Sequence, residues 1–364
     1  MANDFDEQEY MRKLIAGGIA PGDAADVARR TAEARRQSGT LDLSPAAVPA
    51  SIEADQVKPA KKATRKTQEI ATTTKDQKLI EAAAQIATTP PDGFGDFMAF
   101  AHAVLCQVGL PRSKVEGREF LRQSGAAWIN IQAGILDEGK GPVLQPIPYG
   151  VMPRLALAWV STFAMRNDTP VIPIGDSAAE FLRLMGMDDQ GARYTTLRRQ
   201  MHALAACRLQ MGYKGRNIPN MAPVKQFDAW VANNADHQRA LWPGVMTLSD
   251  EYFTELRTSA VPLDNRALLA LKGSALALDV YAWLAHRLHR IQGRGVTLYW
   301  ANLREQFAQE YRGKDPDKDF KKEFVPALKK VLAVYPQAKV KSVTGGVLLL
   351  GSPPPIPFKG GPTV

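Results

Sequence analysis

Between residues 76 and 350 the apolar positions of the chain switch repeatedly between a helical and an extended period. Leu79, Ala83 and Ile86 keep helical spacing, and residues 94–108 are apolar nearly all round until Gly109-Leu110-Pro111 ends the run, so two helices are expected. The period then changes. Ala127 to Ala133 alternates, a glycine-rich stretch runs from Gly134 to Gly141, and Val143 to Ile147 resumes an extended pattern, which predicts a β-hairpin. A helix over 153–165 buries Leu155, Trp159 and Phe163, and a short strand over 171–174 follows. Ser177-Ala-Ala-Glu180 is a capping box that starts the next helix near Ala178, with Phe181, Leu182 and Met185 inward and Gly186 as its stop. After a turn over 187–192, a helix over 193–206 turns Leu197, Met201 and Leu204 to one side and Thr195, Arg198, Arg199 and His202 to the other. Cys207, Leu209, Met211 and Tyr213 then alternate as a strand that runs into Lys214-Gly-Arg216-Asn217.

The same order of elements recurs. Ser249 is placed to cap a helix that reaches Leu256, and Val261-Pro-Leu marks a turn. A long helix over 274–291 buries Leu276, Val280, Trp283, Leu284 and Leu288, and a short strand over 296–298 follows. Trp300, Leu303, Phe307 and Tyr311 keep helical spacing up to a charged turn at 312–318. Residues 319–334 then form a helix with Phe320, Phe324, Leu328 and Val331 inward and Lys322, Lys329 and Lys330 outward. Pro326 should kink or shorten it, because proline removes one amide and crowds the preceding turn. Strands over 339–343 and 347–350, joined by Thr344-Gly345-Gly346, complete the series.

Helix, short turn, helix with a cationic face and then a β-hairpin is the order of a winged helix, whose second helix enters a major groove while the hairpin lies beside it. The expected fold is α+β and mainly α, with two such domains in tandem over 76–245 and 246–350. Residues 1–75 contain one or two weak helices over 11–36 and then a Ser-, Thr-, Pro-, Ala- and Lys-rich stretch, and are expected to be a mostly disordered tail and linker. Within it Lys58, Lys61, Lys62, Arg65 and Lys66 are either solvated or in nonspecific contact with DNA. Residues 351–364, rich in proline and glycine, are expected to be a flexible tail.

Charge adds an expected partner class to this layout. The chain has 364 residues, 46 basic against 37 acidic side chains and a formal charge of +9. The window from Gln190 to Phe227 carries Arg193, Arg198, Arg199, Arg208, Lys214, Arg216 and Lys225 and no acid, and no acid occurs after Glu323. Such single-sign faces point to phosphate. The residues expected to meet DNA are therefore Arg193, Thr195, Thr196, Arg198, Arg199, His202, Lys214 and Arg216 in the first domain. Lys321, Lys322, Lys329, Lys330, Lys339 and Lys341 are their counterparts in the second. Arg198 and Arg199 could each grip guanine O6 and N7 or a phosphate.

Other classes are disfavoured. No run approaches the length of a membrane span, and the acidic start with Asp4, Asp6, Glu7 and Glu9 is unlike a signal peptide, so a cytoplasmic protein is expected. Cys106 and Cys207 are expected as reduced core thiols. Gly134 to Lys140 matches a phosphate-loop pattern, but Gly141 stands where Ser or Thr should be and no helix follows, so a turn is expected. His286 and His289 share a polar helix face with Asp279, where solvation is favoured over a metal site. They also lack the His-x-His spacing of strand-nicking replication enzymes. No catalytic residue, metal or cofactor is expected.

Four segments carry a resemblance: FMAFAHAVLCQVGLPR (97–112), IPYGVMPRLALAW (147–159), SALALDVYAWL (274–284) and DFKKEFVPALKKVLAVYP (319–336). In this order they are similar to the plasmid-encoded RepA family of bacterial replication initiators, over roughly residues 76–353, with Pro326 as a departure inside the last segment. The resemblance implies two winged-helix domains that bind repeated sequences at a plasmid origin and open the adjacent DNA. It further implies recruitment of the host initiator DnaA and the replicative helicase, and a monomer–dimer balance that limits copy number. The residues alone leave open a tandem winged-helix transcriptional regulator, or a module that binds acidic protein surfaces.

Overall fold

The computed structural model describes residues 73–89, 91, 97–138, 141–188, 191–226, 244–309 and 314–357, with scattered positions between 8 and 29. The chain divides into a unit over 1–73 and a unit over 74–364. The weak helices expected over 11–36, the linker and its lysine cluster, and residues 358–364 therefore lie mainly or wholly outside the described residues.

The larger unit mixes helices with antiparallel sheets. It begins with α1 (Thr74–Thr88), whose Ile86 enters the core. The helix expected over 94–108 is corrected: Met98–His102 form a strand, β1, and only Ala103–Val108 are helical, as α2. A strand buried on both faces reads as a continuous apolar run and cannot be told from a buried helix by period. The partner of β1 is β11 (Ala260–Asp264), with Met98 opposite Asp264 and His102 opposite Ala260, where the sequence pattern suggested a turn.

The strand β3 (Ala127–Gln132) was expected to pair with residues 143–147. It pairs instead with β2 (Glu119–Ser124) on one side and with β7 (Arg208–Tyr213) on the other, and β8 (Arg216–Met221) completes a sheet of order β2-β3-β7-β8. β4 (Ile135–Asp137) and β5 (Pro142–Leu144) make a separate short hairpin where the phosphate-loop pattern lies.

Two series of elements then repeat one another. The first is α3 (Val151–Asn167), β6 (Val171–Pro173), α4 (Ala178–Leu184) and α5 (Gly191–Ala206), closed by β9 (Val224–Gln226) and β10 (Val245–Leu248). Its sheet has the order β6-β10-β9. The second follows α6 (Asp250–Ser259), β11 and α7 (Asn265–Leu271). It comprises α8 (Ala275–Arg287), β12 (Val296–Tyr299), α9 (Trp300–Phe307), α10 (Pro316–Val334), β13 (Val340–Val343) and β14 (Gly346–Leu349), with the order β12-β14-β13. In both, the last strand lies between the other two. The β7–β8 hairpin is an insertion between α5 and β9 that joins another sheet.

Local chemistry accounts for the helix starts. Ser177 Oγ accepts from Glu180 N at 3.2 Å, and the Glu180 carboxylate reaches back to Asp176 N at 2.7 Å. Ser249 and Ser274 cap α6 and α8 in the same way, and Asp315 caps α10 with Pro316 in its first turn. Pro326 does not shorten α10, which runs unbroken to Val334. The proline is exposed, so the carbonyl it leaves without a donor is open to water.

One continuous hydrophobic core extends from Ile86 to Leu349. Both cysteines are buried and free, and burial pushes each thiol up to about 12. β10 crosses the boundary expected between 245 and 246. The flexible tail expected from residue 351 is corrected for 351–357: Ile356 packs in a cluster with Met98 and Phe100, and Tyr335 donates to Pro353 O at 2.7 Å.

A buried ion pair fastens the segments that carry the resemblance. Arg154 of α3 meets Asp279 of α8 through Nε and Nη2, both at 2.7 Å, and also donates to the carbonyls of Leu110, Pro111 and Gly150. Asp279 was expected on a polar face with His286 and His289; it faces inward instead. Gly109, at φ 65°, passes so close that an added Cβ would lie 3.1 Å from Asp279 Oδ2. Arg112 then pairs with Glu323 of α10 at 3.3 Å, so all four segments meet.

Candidate nucleic-acid interface

The helix expected to meet DNA is present as α5, two residues longer at its start than the pattern indicated. Its second half is buried on nearly every side, through Leu197, Gln200, Met201, His202, Ala203 and Leu204. The exposed positions cluster in the first two turns, as Gly191, Ala192, Thr195 and Arg199, flanked by the half-buried Arg193, Thr196 and Arg198. The Arg199 guanidinium lies 5.5 Å from the centre of the Tyr149 ring, and Arg193 contacts Asp188 at 3.1 Å.

His202 is a correction. It is 1% exposed, and its Nδ1 lies 3.1 Å from Glu138 Oε1, in the loop after β4. Burial lowers the imidazole below its ordinary value against the pull of Glu138, so the neutral ring donates inward and does not face a duplex. The same carboxylate contacts Arg198 Nη2 at 3.4 Å. Burial would raise Glu138, but hydrogen bonds from Gln145 and His202 and the charge of Arg198 hold it below the ordinary carboxylate value. Arg198 is thus tethered at one edge, while Arg199 has no acid among its described contacts.

Lys214 and Gly215 form a two-residue turn with φ of 49° and 83°, the signature of a tight hairpin. This hairpin was expected to be the wing of the first domain. It belongs to the sheet of β2 and β3, and the exposed Arg216 reaches Glu255 of α6. The hairpin that corresponds to β13–β14 is β9–β10, whose connection lies outside the described residues. Pattern alone could not find it, because β9 has three residues and its partner comes late in the chain.

In the second series, Lys321, Lys322, Lys329 and Lys330 are all exposed on α10. Lys321 Nζ lies 5.1 Å from the centre of the Trp300 ring, and Lys322 makes a surface contact with Asp319 at 3.1 Å. Lys339 and Lys341 are exposed at the β13 side of the hairpin, where Trp300 N donates to Gly345 O at 3.0 Å and ties the turn to α9.

A groove of about 640 Å³ connects the two series. Arg193 and Thr196 of α5 and Lys330 of α10 line it together with Lys78 and Lys272. Sequence reasoning missed the last two, since each is a single lysine near a helix end with no pattern around it. Among the described residues, no group of three or more His, Cys, Asp or Glu is placed to hold a metal, and no helix is long and apolar enough to cross a membrane.

Comparison with known proteins bears on identity through one match. The solved structures of domains 2 and 3 of RctB, one from a selenomethionine derivative, are similar to this chain at 12% and 13% identity. They cover 69% and 68% of this chain and 99% and 94% of those chains, with TM-scores of 0.44 and 0.40. No curated protein matches. Residues 147–302, from the approach to α3 through the first turn of α9, match the family described as plasmid encoded RepA protein.

Proposed function

We propose that the chain is a non-enzymatic plasmid replication initiator that binds repeated duplex sequences at its origin through two winged helices. One is α3–β6–α4–α5–β9–β10 and the other α8–β12–α9–α10–β13–β14, with α5 and α10 as the helices that enter successive major grooves. The observation that carries this reading is the repeated strand order, last strand in the middle, behind two helices whose exposed faces hold Arg199 and the α10 lysines. Arg199 and Thr195 are the base-facing side chains of α5; Arg193 and the lysines of α10 and β13 are suited to phosphates. The match of residues 147–302 to the plasmid encoded RepA family supports replication as the purpose. Opening of adjacent DNA, recruitment of the host initiator DnaA and the replicative helicase, and a monomer–dimer balance that sets copy number belong to the same reading, in the bacterial cytoplasm.

The test is footprinting and gel-shift titration of the full chain on the DNA that flanks its own gene, against random duplex. With about six phosphates neutralised, log affinity should fall against log salt with a slope of roughly −5. Arg199→Ala should cost about 1 to 3 kcal/mol and relax preference at one base position. Equal affinity for flanking and random DNA would refute sequence-specific initiation.

A further inference from the structure

The groove between α5 and α10 has features that a solvated cleft does not need. Four cations line it, Lys78, Arg193, Lys272 and Lys330, against Asp76 and Asp188. The amino end of α3 opens into it through Val151 and Met152, and no side chain caps that helix. Pro153 offers no amide there, but the amides of Val151 and Met152 and the positive end of the dipole lie at the groove. Gln200 in the wall is 1% exposed; its Oε1 accepts from Tyr149 N at 2.8 Å, and its Nε2 has no partner among the described residues. A buried donor without an acceptor is costly, and an acceptor that reaches it relieves that cost. Burial and the neighbouring Lys78 and Arg193 lower the Lys272 amine, partly offset by Asp188, so its charge is poorly compensated in the free protein. Four cations against two acids, the uncapped helix end and the unpartnered Gln200 donor together favour an anion.

The position of the groove selects which anion. Arg193 and Thr196 come from one face of α5 and Lys330 from α10, the two helices assigned to successive major grooves. Between successive major grooves on one side of a duplex lies the minor groove, bordered by two sugar–phosphate strands, one of which faces the cleft between the two helices. We infer that the groove seats that phosphodiester strand, with Lys78 and Lys272 as phosphate contacts that join the two helices into one footprint. This rests on the duplex-binding reading above and adds to it a contact surface outside both helix pairs.

The test compares the full chain with Lys78→Gln/Lys272→Gln on duplex DNA flanking its own gene, by salt titration and by ethylation interference. Each phosphate contact contributes about 0.9 to the slope of log affinity against log salt. The double variant should lower the slope magnitude by about 2, lose interference at phosphates between the two helix footprints, and keep its base preference. Lys272 also donates to Gly186 O, so the exposed Lys78→Gln alone, with an expected loss of about 1, guards against a folding effect. Wild-type binding with an unchanged slope and unchanged interference in both variants would overturn the inference and leave the duplex reading standing. Failure of the wild type to bind duplex would remove both. Inhibition by millimolar inorganic phosphate without loss of the interference signals would assign the groove to a free anion and also overturn it.

Discussion

Replacing Asp279 with alanine isolates the ion pair on which the packing of this fold depends. The Arg154 and Asp279 side chains are 8% and 9% exposed and meet through two contacts of 2.7 Å. Arginine cannot shed its proton, so the variant leaves a guanidinium in the interior with only the carbonyls of Leu110, Pro111 and Gly150. Breaking a buried pair from one side costs about 3 to 5 kcal/mol. At a urea m-value of about 3 kcal/mol/M, the unfolding midpoint should fall by about 1 to 1.7 M with m unchanged, followed by tryptophan fluorescence. The double variant Arg154→Met/Asp279→Leu should lose less than the sum of the two single changes, because it strands neither charge. A midpoint shift below about 0.3 M for Asp279→Ala would show that the pair is not desolvated, and the reasoning would fail.

Other expectations concern titration, close packing and charge. His102 Nδ1 accepts from Val104 N at 3.2 Å, so the neutral ring carries its proton on Nε2, and burial pushes the imidazole down to about 4. A folded value below the unfolded one gives stability that is complete above about pH 6.5 and is lost as pH falls toward 4, by about 3 kcal/mol. His102→Asn keeps a capping acceptor without a titrating ring, and should flatten the decline in melting temperature between pH 7.5 and 5; an unchanged decline would exclude His102 as its source. Gly346→Ala would place a Cβ 2.0 Å from Leu298 O, so β12 and β14 must separate, and faster amide exchange in β12–β14 than in β2–β3 should reveal it. Glu138→Gln releases Arg198 and should raise affinity for random duplex a few-fold at low salt, while equal or weaker binding would show that the tether orders α5 for DNA.

Elements whose side chains follow a single period were legible: α3, α8 and α10 on their apolar faces, and α4 and α6 at their serine caps. The misreadings share a physical cause, which is dependence on partners far along the chain. β1 is buried on both faces against β11, and the proline in β11 is tolerated because a two-stranded ribbon leaves an edge free of ladder bonds. β2 was invisible partly because Arg122 occupies a core position, 1% exposed, with its guanidinium donating to the carbonyls of Val108 and Leu110. At the interface, the absence of acids from Gln190 to Phe227 described the local chain correctly. It could not show that Glu138 arrives from the β4–β5 hairpin to draw in His202 and Arg198. Arg199 and the α10 lysines were legible as exposed side chains, because no described acid from a distant segment draws them in.

The strand β10 has a consequence for how this protein can change. It begins at the point where one repeat should hand over to the next, yet it is the middle strand of the first repeat's sheet, while β1, far upstream, holds the ribbon that introduces the second. Severing the chain there would strip both halves of a strand, so neither is a portable cassette. If α5 and α10 enter DNA as proposed, new preferences arise by substitution on their outer faces, not by shuffling halves between relatives.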